Sequence, residues 1–191
     1  MILGVHSATF VKNWHEDITP YIHKCKKAGY KSVEVSLLGQ TPSSAKEIAK
    51  LANDLNITLT CTTGLSKDED ISSNNKLIQK NGVEALKKAI ELTSIMEANL
   101  LTGVVHAAWG ISSSQGKDKE AKFKNSSKCI KKISSSLIEK DIKLGIEPLN
   151  RYESDFINTV DEGLKLCELI GHPNVGPVSY THLTLPTILL V

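Results

Sequence analysis

Short apolar runs alternate with amphipathic stretches along most of the chain. Residues 1–5 (MILGV) read as a strand; Ile18, Ile22 and Cys25 then share one helical face, and Gly29 ends that helix. Residues 32–37 (SVEVSL) predict a second strand. Ser44 and Glu47 have capping-box spacing and open a helix that buries Ile48, Ala52 and Leu55. A third strand is predicted at 57–63, and a long helix at 76–97 with Leu86, Ala89 and Ile90 near one stripe. Residues 99–105 predict strand four, 119–140 a helix burying Ile130, Ile133 and Leu137, and 142–147 strand five. Thr159 and Glu162 form a second capping box, opening a helix with Val160, Leu164 and Cys167 inward. Residues 174–176 begin a sixth strand.

Successive β-α units running in one direction imply a parallel sheet with right-handed crossovers. Such a sheet is either open and doubly wound or closed into a (β/α)₈ barrel. No G-x-G-x-x-G follows the first strand, which weakens the dinucleotide-binding version. Polar residues gather at the predicted strand ends: His6, Glu34, Thr62, His106 and Glu147. Barrels build their sites at that face. The expected fold is therefore α/β, a (β/α)₈ barrel cut after about five units, because a full barrel takes about 250 residues. In strand five, alternation sends Ile142, Leu144 and Ile146 toward the helices and Lys143, Gly145 and Glu147 toward the barrel axis.

Composition narrows the class without choosing a function. A net charge of +2 gives no global argument for nucleic acid or an anionic membrane. The basic stretch 117–132 reads as a solvated helix face opposite an apolar stripe. Cys25, Cys61, Cys129 and Cys167 lie far apart with no C-x-x-C pair, which fits reduced thiols and a cytoplasmic location. The N-terminus lacks a basic n-region, and no apolar run reaches the roughly 18 residues of a membrane span. The serines at 112–114 and 134–136 suit loop and helix-surface positions and carry no nucleophile signature.

The C-terminus departs from this pattern. Residues 178–187 (VSYTHLTLPT) resemble the translation of a transposon-end sequencing adapter. Residues 1–176 are expected to be a partial barrel and 177–191 a non-native tail, the gene being cut inside strand six.

Residues 146–166 (IEPLNRYESDFINTVDEGLKL) resemble a segment of the D-tagatose/D-psicose (ketose) 3-epimerases, within the xylose-isomerase-like barrel superfamily. That segment carries a metal-binding glutamate followed by an L-N-R-[YF]-E run. The resemblance extends over residues 1–176, through LGVHSATF, AGYKSVEVSL, LTCTTGLSKDEDISS and GVVHAAWG. It implies that Glu147 binds a divalent metal (Mn²⁺ or Co²⁺, sometimes Mg²⁺) and is one of two glutamates exchanging the proton at sugar C3. The second glutamate comes from an eighth strand, and the remaining metal ligands (Asp, His and Glu) from later strands. Glu153 resembles the glutamate that accepts hydrogen bonds from hydroxyls near the ketose C1–C2 end. The chemistry suits the residue types: a hard cation stabilises an enediolate, and carboxylates on opposite faces remove and return the proton.

Read from the residues alone, Glu147 is equally open to being a strand-end carboxylate paired with Lys or Arg, and Glu153 to being a solvated loop acid. Arg151 is expected to touch substrate or to hold a carboxylate through a bidentate pair, while Asn150 shapes the loop. His6, Thr62, Trp14 and Trp109 are expected to line the sugar site, the two tryptophans as an apolar wall. His106, on the same rim, is not among the implied ligands. The leading expectation is an enzyme, a metal-dependent ketose 3-epimerase that is inactive as this truncated chain, with a small sugar as partner and a whole-length form that is a homodimer or homotetramer. The alternatives are a hydroxypyruvate-isomerase-like enzyme, an abasic-site endonuclease using several metals, and a non-catalytic sugar-binding fragment.

Overall fold

The computed structural model describes residues 2–111 and 118–178. Six strands, β1 (Gly4–His6), β2 (Ser32–Ser36), β3 (Thr58–Leu65), β4 (Leu100–Ala108), β5 (Lys143–Ile146) and β6 (Val175–Pro177), form one parallel sheet in sequence order. Helices α1 (Thr19–Lys27), α2 (Pro42–Asp54), α3 (Lys76–Ile95), α4 (Lys119–Lys131), α5 (Ser134–Glu139) and α6 (Val160–Ile170) cross between them. Short 3₁₀ turns follow β1 (Ser7–Thr9) and β3 (Lys67–Glu69).

Period-two alternation divides each strand between two environments. Val33 and Val35 of β2, Leu59 and Cys61 of β3, Leu101 and Val105 of β4 and Leu144 and Ile146 of β5 are buried in the core shared with the helices. The intervening side chains point the other way, where Glu34, Thr60, Thr62 and Glu147 line a cavity. The inward direction expected of Glu147 is the one observed. On the helical side Ile22, Cys25, Ile48, Leu86, Ile90, Ile130 and Leu137 are all buried.

Several local expectations shift. α2 starts three residues earlier than the Ser44–Glu47 box: Thr41 is the N-cap, its Oγ1 accepting from Ser44 N–H while Ser44 Oγ accepts from Thr41 N–H. Pro42 follows directly, so its missing N–H leaves nothing unsatisfied. Thr41→Ala is expected to cost about 1 kcal/mol in urea unfolding, and Glu47→Gln nothing measurable. The helix expected over 119–140 is two helices, because Lys132 N–H and Ile133 N–H bond three residues back, to Cys129 O and Ile130 O. Ser134–Ser136 follow at once, and serine hydroxyls compete with helical backbone bonding. β1 starts at Gly4 rather than Met1, which lies outside the described residues, and Ile2 and Leu3 are exposed.

The predicted inward stripe of α6 is also rotated. Val160 and Leu164 are exposed and Cys167 is half-buried, whereas Gly163, Leu166 and Ile170 face the sheet. Thr159 does cap this helix by accepting from Glu162 N–H, but Glu162 Oε2 accepts from Asn158 N–H rather than from the cap residue. The open edges of the described sheet are β1 and β6, with β5 between β4 and β6. The expected foreign tail falls on residues 179–191, outside the described residues, except that Pro177 closes β6 and Val178 N–H donates to Ile146 O. The serines at 112–114 lie outside the described residues as well.

Candidate active site

The C-terminal ends of β1–β5 surround a cavity of about 790 Å³. His6 ends β1, and its Nδ1 accepts from Ala8 N–H at 2.9 Å, capping the 3₁₀ turn and leaving the ring proton to Nε2. Glu34 stands beside His6 in the β1–β2 register, with Nε2 to Oε2 at 3.8 Å. Its other oxygen accepts from Thr102 Oγ1 on β4 at 2.8 Å. Trp14, in the loop after β1, meets the His6 ring edge to face at 6.2 Å. Trp109, after β4, meets Trp14 in the same manner at 6.1 Å. These rings form one continuous wall.

Opposite the β1–β2 side stand the acids. Glu147 follows β5, and its N–H donates to Gly103 O at 3.4 Å. Burial, then the charges of Glu34 and Glu153, push its carboxyl up to about 7. Glu153 is held by its neighbour: Asn150 Nδ2 donates to Glu153 Oε2 at 2.9 Å, and Asn150 Oδ1 accepts from the Tyr152 and Glu153 N–H groups. Asn150 therefore shapes the loop, as expected of it, and also aims the acid. The Glu153 loop is tied to the Trp109 loop by Gly110 N–H donating to Glu153 O and by the Ile111–Ser154 bridge.

The cavity thus brings together His6, Trp14, Thr62, Trp109, Glu147 and Glu153. Arg151 is exposed and does not line it. His106, grouped with the strand-end residues, does not line it either. The β3–β4 register jumps from Gly64↔Val104 to Leu65↔Ala108, and in that irregular stretch His106 packs at 5.7 Å from Phe156, fully buried. Burial drives its pKa down to about 3, so the ring is neutral. Glu34 is the residue whose role the sequence understated. The sequence marked it only as a polar residue at a strand end; its partners lie on β1 and β4.

The raised pKa of Glu147 has a thermodynamic consequence. A carboxyl titrating near 7 in the folded chain and near 4.5 in the unfolded chain binds more protons when folded over that interval. Its contribution to stability is full below about 4.5 and is lost as pH rises through about 7. Glu147→Gln removes the ionisation and is expected to stabilise the chain at pH 8, by about 1–2 kcal/mol after allowing for the group's partial exposure. At pH 4 the difference should vanish. Urea unfolding at both pH values reads this directly; equal stabilities at pH 8 would mean the site tolerates the charge.

A parallel α/β sheet with a strand-end acidic site has many relatives, and a family model separates them. The model described as xylose isomerase-like TIM barrel matches residues 22–179. The chain belongs to that family. Among curated members of this barrel family, the D-psicose 3-epimerase of Agrobacterium fabrum is 29% identical over 90% of this chain and 61% of its own length. The L-ribulose 3-epimerase of Mesorhizobium japonicum is 26% identical over 91% of this chain and 58% of its own. A solved structure of D-psicose 3-epimerase with D-tagatose from Clostridium cellulolyticum superposes with a TM-score of 0.87 at 25% identity, covering 94% of this chain and 63% of that one. The chain spans about three fifths of the length of these barrel relatives.

A divalent metal is implied by the resemblance of the Glu147 segment. Glu147 is a suitable donor, since a cation would relieve the crowding of its carboxyl by Glu34 and Glu153. One carboxylate is not a site, however. Among the described residues no group of three His, Cys, Asp or Glu side chains could hold a metal, and such ions take about six ligands. The residues described do not fit a complete metal centre, and no step below is routed through one. Among the described residues, no helix is long and apolar enough to cross a membrane.

Proposed function

We propose that the whole protein to which this chain belongs is a ketose 3-epimerase, with Glu147 as one of its two proton-transfer groups. The observation that carries this reading is Glu147 itself, at the mouth of β5 inside the cavity, with a carboxyl raised to about 7. A general base works best with a pKa near the operating pH, and an ordinary glutamate titrates too low. The names of the relatives, D-psicose 3-epimerase and L-ribulose 3-epimerase, support the same class.

In this proposal the ketose lies against Trp14 and Trp109 with its hydroxyls toward Glu153. Ionised Glu147 takes the proton from C3. The C–H electron pair moves into a C2–C3 double bond, and the carbonyl π pair moves onto O2, giving an enediolate. Epimerisation requires a proton to return to C3 from the other face, which Glu147 cannot supply while it holds the first. That role is proposed for a second acid outside this chain. We also place Glu147 as one ligand of Mn²⁺, Co²⁺ or Mg²⁺ in the whole protein, the other ligands coming from strands beyond these six. Arg151 is assigned to the loop's electrostatics rather than to direct contact, given its exposure.

The test is to supply the whole-length protein with Mn²⁺, screen ketohexoses and follow C3 epimers by chromatography. Conversion of D-fructose to D-psicose is expected there and none from the 191-residue chain alone. Turnover by the short chain would overturn the need for a second acid, and no turnover of any ketose by the long one would overturn the class.

A further inference from the structure

Ile157, Asn158 and Thr159, in the segment that resembles the epimerases, have no part in the reaction described above. Asn158 does not line the cavity, yet its side chain is committed to the loop that does. Its Nδ2 donates to Leu149 O at 3.0 Å and to Ser154 O at 2.8 Å. Its own N–H donates to Glu162 Oε2 at 2.7 Å, which fixes it to the first turn of α6. A backbone bond from Leu149 N–H to Ile157 O, at 2.9 Å, closes the neck of the same loop. Phe156 and Ile157 are fully buried and anchor its returning limb in the core.

The chemistry of this clasp suits asparagine. Two carbonyl oxygens converge on one side chain, and a primary amide offers two N–H groups on a single nitrogen. Aspartate has nearly the same shape, but when ionised it would set a carboxylate against both carbonyls. Serine and threonine carry a single donor. The two carbonyls flank the acid of the loop: Leu149 lines the cavity, and Ser154 directly follows Glu153. Asn150 aims the Glu153 carboxylate from within the loop, whereas Asn158 holds the loop itself to α6. We propose that Asn158 is a positioning residue, which sets Glu153 and Leu149 in place at the cavity by clasping the loop between β5 and α6. This rests on the ketose reading above and extends it to a residue outside the cavity.

The experiment has two arms. In the 191-residue chain, amide hydrogen exchange at Gly110 reads the loop, because Gly110 N–H donates to Glu153 O. Asn158→Ala and Asn158→Asp should each speed that exchange by about tenfold or more. Gly171 N–H, bonded to Cys167 O at the far end of α6, should keep its unsubstituted rate. Equal acceleration at both amides, or none at Gly110, would overturn the clasp. Asn158→Ser retains one donor and provides a milder variant if alanine unfolds the chain. In the whole-length protein with Mn²⁺, Asn158→Ala should raise KM for D-fructose about tenfold and leave kcat within about threefold. Glu153→Gln should do the same, and adding Asn158→Ala to it should raise KM no more than about twofold further, the non-additivity of residues that act through one another. Independent effects, multiplying to about a hundredfold, would overturn the assignment of Asn158 to Glu153 and leave the ketose reading intact. No turnover of any ketose by the unsubstituted whole-length protein would overturn that reading and with it the place of Asn158 in the reaction, while exchange at Gly110 decides the clasp on its own.

Discussion

Glu147→Gln in the whole-length protein is expected to reduce solvent exchange at sugar C3 by about 10³-fold or more. The substitution keeps the side chain's size but removes the basic oxygen and turns one acceptor into a donor, so the loss should fall on the chemical step. Proton NMR in D₂O reads the reaction as disappearance of the C3–H signal. Exchange at the unsubstituted rate would show that another group takes the proton. In the 191-residue chain without metal the same change should stabilise the fold at pH 8, which gives the variant an internal contrast. Loss of catalysis together with gain of stability is the behaviour of a carboxylate held in a poorly solvated site for chemistry rather than for folding.

Gly103→Ala should cost about 3–5 kcal/mol, enough to unfold a marginal chain. Gly103 has φ +108°, a conformation that side-chain-bearing residues rarely adopt, and an added Cβ would sit 2.2 Å from Thr63 O and 2.6 Å from Thr62 Oγ1. Thr63 O is backbone and cannot swing aside. Gly110→Ala is the matched control: its φ is +75°, but nothing lies within 4 Å of an added Cβ, so it should cost only conformational strain of about 1 kcal/mol. Urea unfolding of the two variants separates the clash from the strain. Equal losses would mean that β3 moves to accommodate the methyl group. Because Glu147 N–H donates to Gly103 O, a shifted β4 would also displace the strand end that carries Glu147.

The parts legible in the sequence were those set by strict local periodicity. Alternation in β5 placed Glu147 inward, Glu34 and Thr62 stood out as polar residues at strand ends, and one parallel sheet followed from repeated β-α units. What escaped was decided elsewhere in the chain. On α6 the buried face includes Gly163, which carries no hydrophobic signal but faces Pro148 and Pro177, where an added Cβ would make ordinary contact. Ion pairs from Lys119 to Glu162 and from Lys165 to Glu120 join that helix to α4. A pattern reading that scores apolar side chains favours Val160 and Leu164 instead. The start of α2 slipped because Thr41 and Ser44 cap each other with hydroxyls, a reciprocal pair that a search for acidic partners passes over. His106 was misplaced by an irregularity between β3 and β4 that no single-strand alternation shows. The partnership of Glu34 with Thr102 joins residues 68 positions apart, on β2 and β4, so only the assembled sheet brings them together.

The tie between the loops after β4 and β5 couples two cavity-lining side chains. Trp109 gives the cavity its apolar side and Glu153 a polar grip, yet Gly110 N–H on Glu153 O and the Ile111–Ser154 bridge leave neither able to travel far without the other. The indole should therefore report, through its emission in the native chain, on anything that displaces the Glu153 loop.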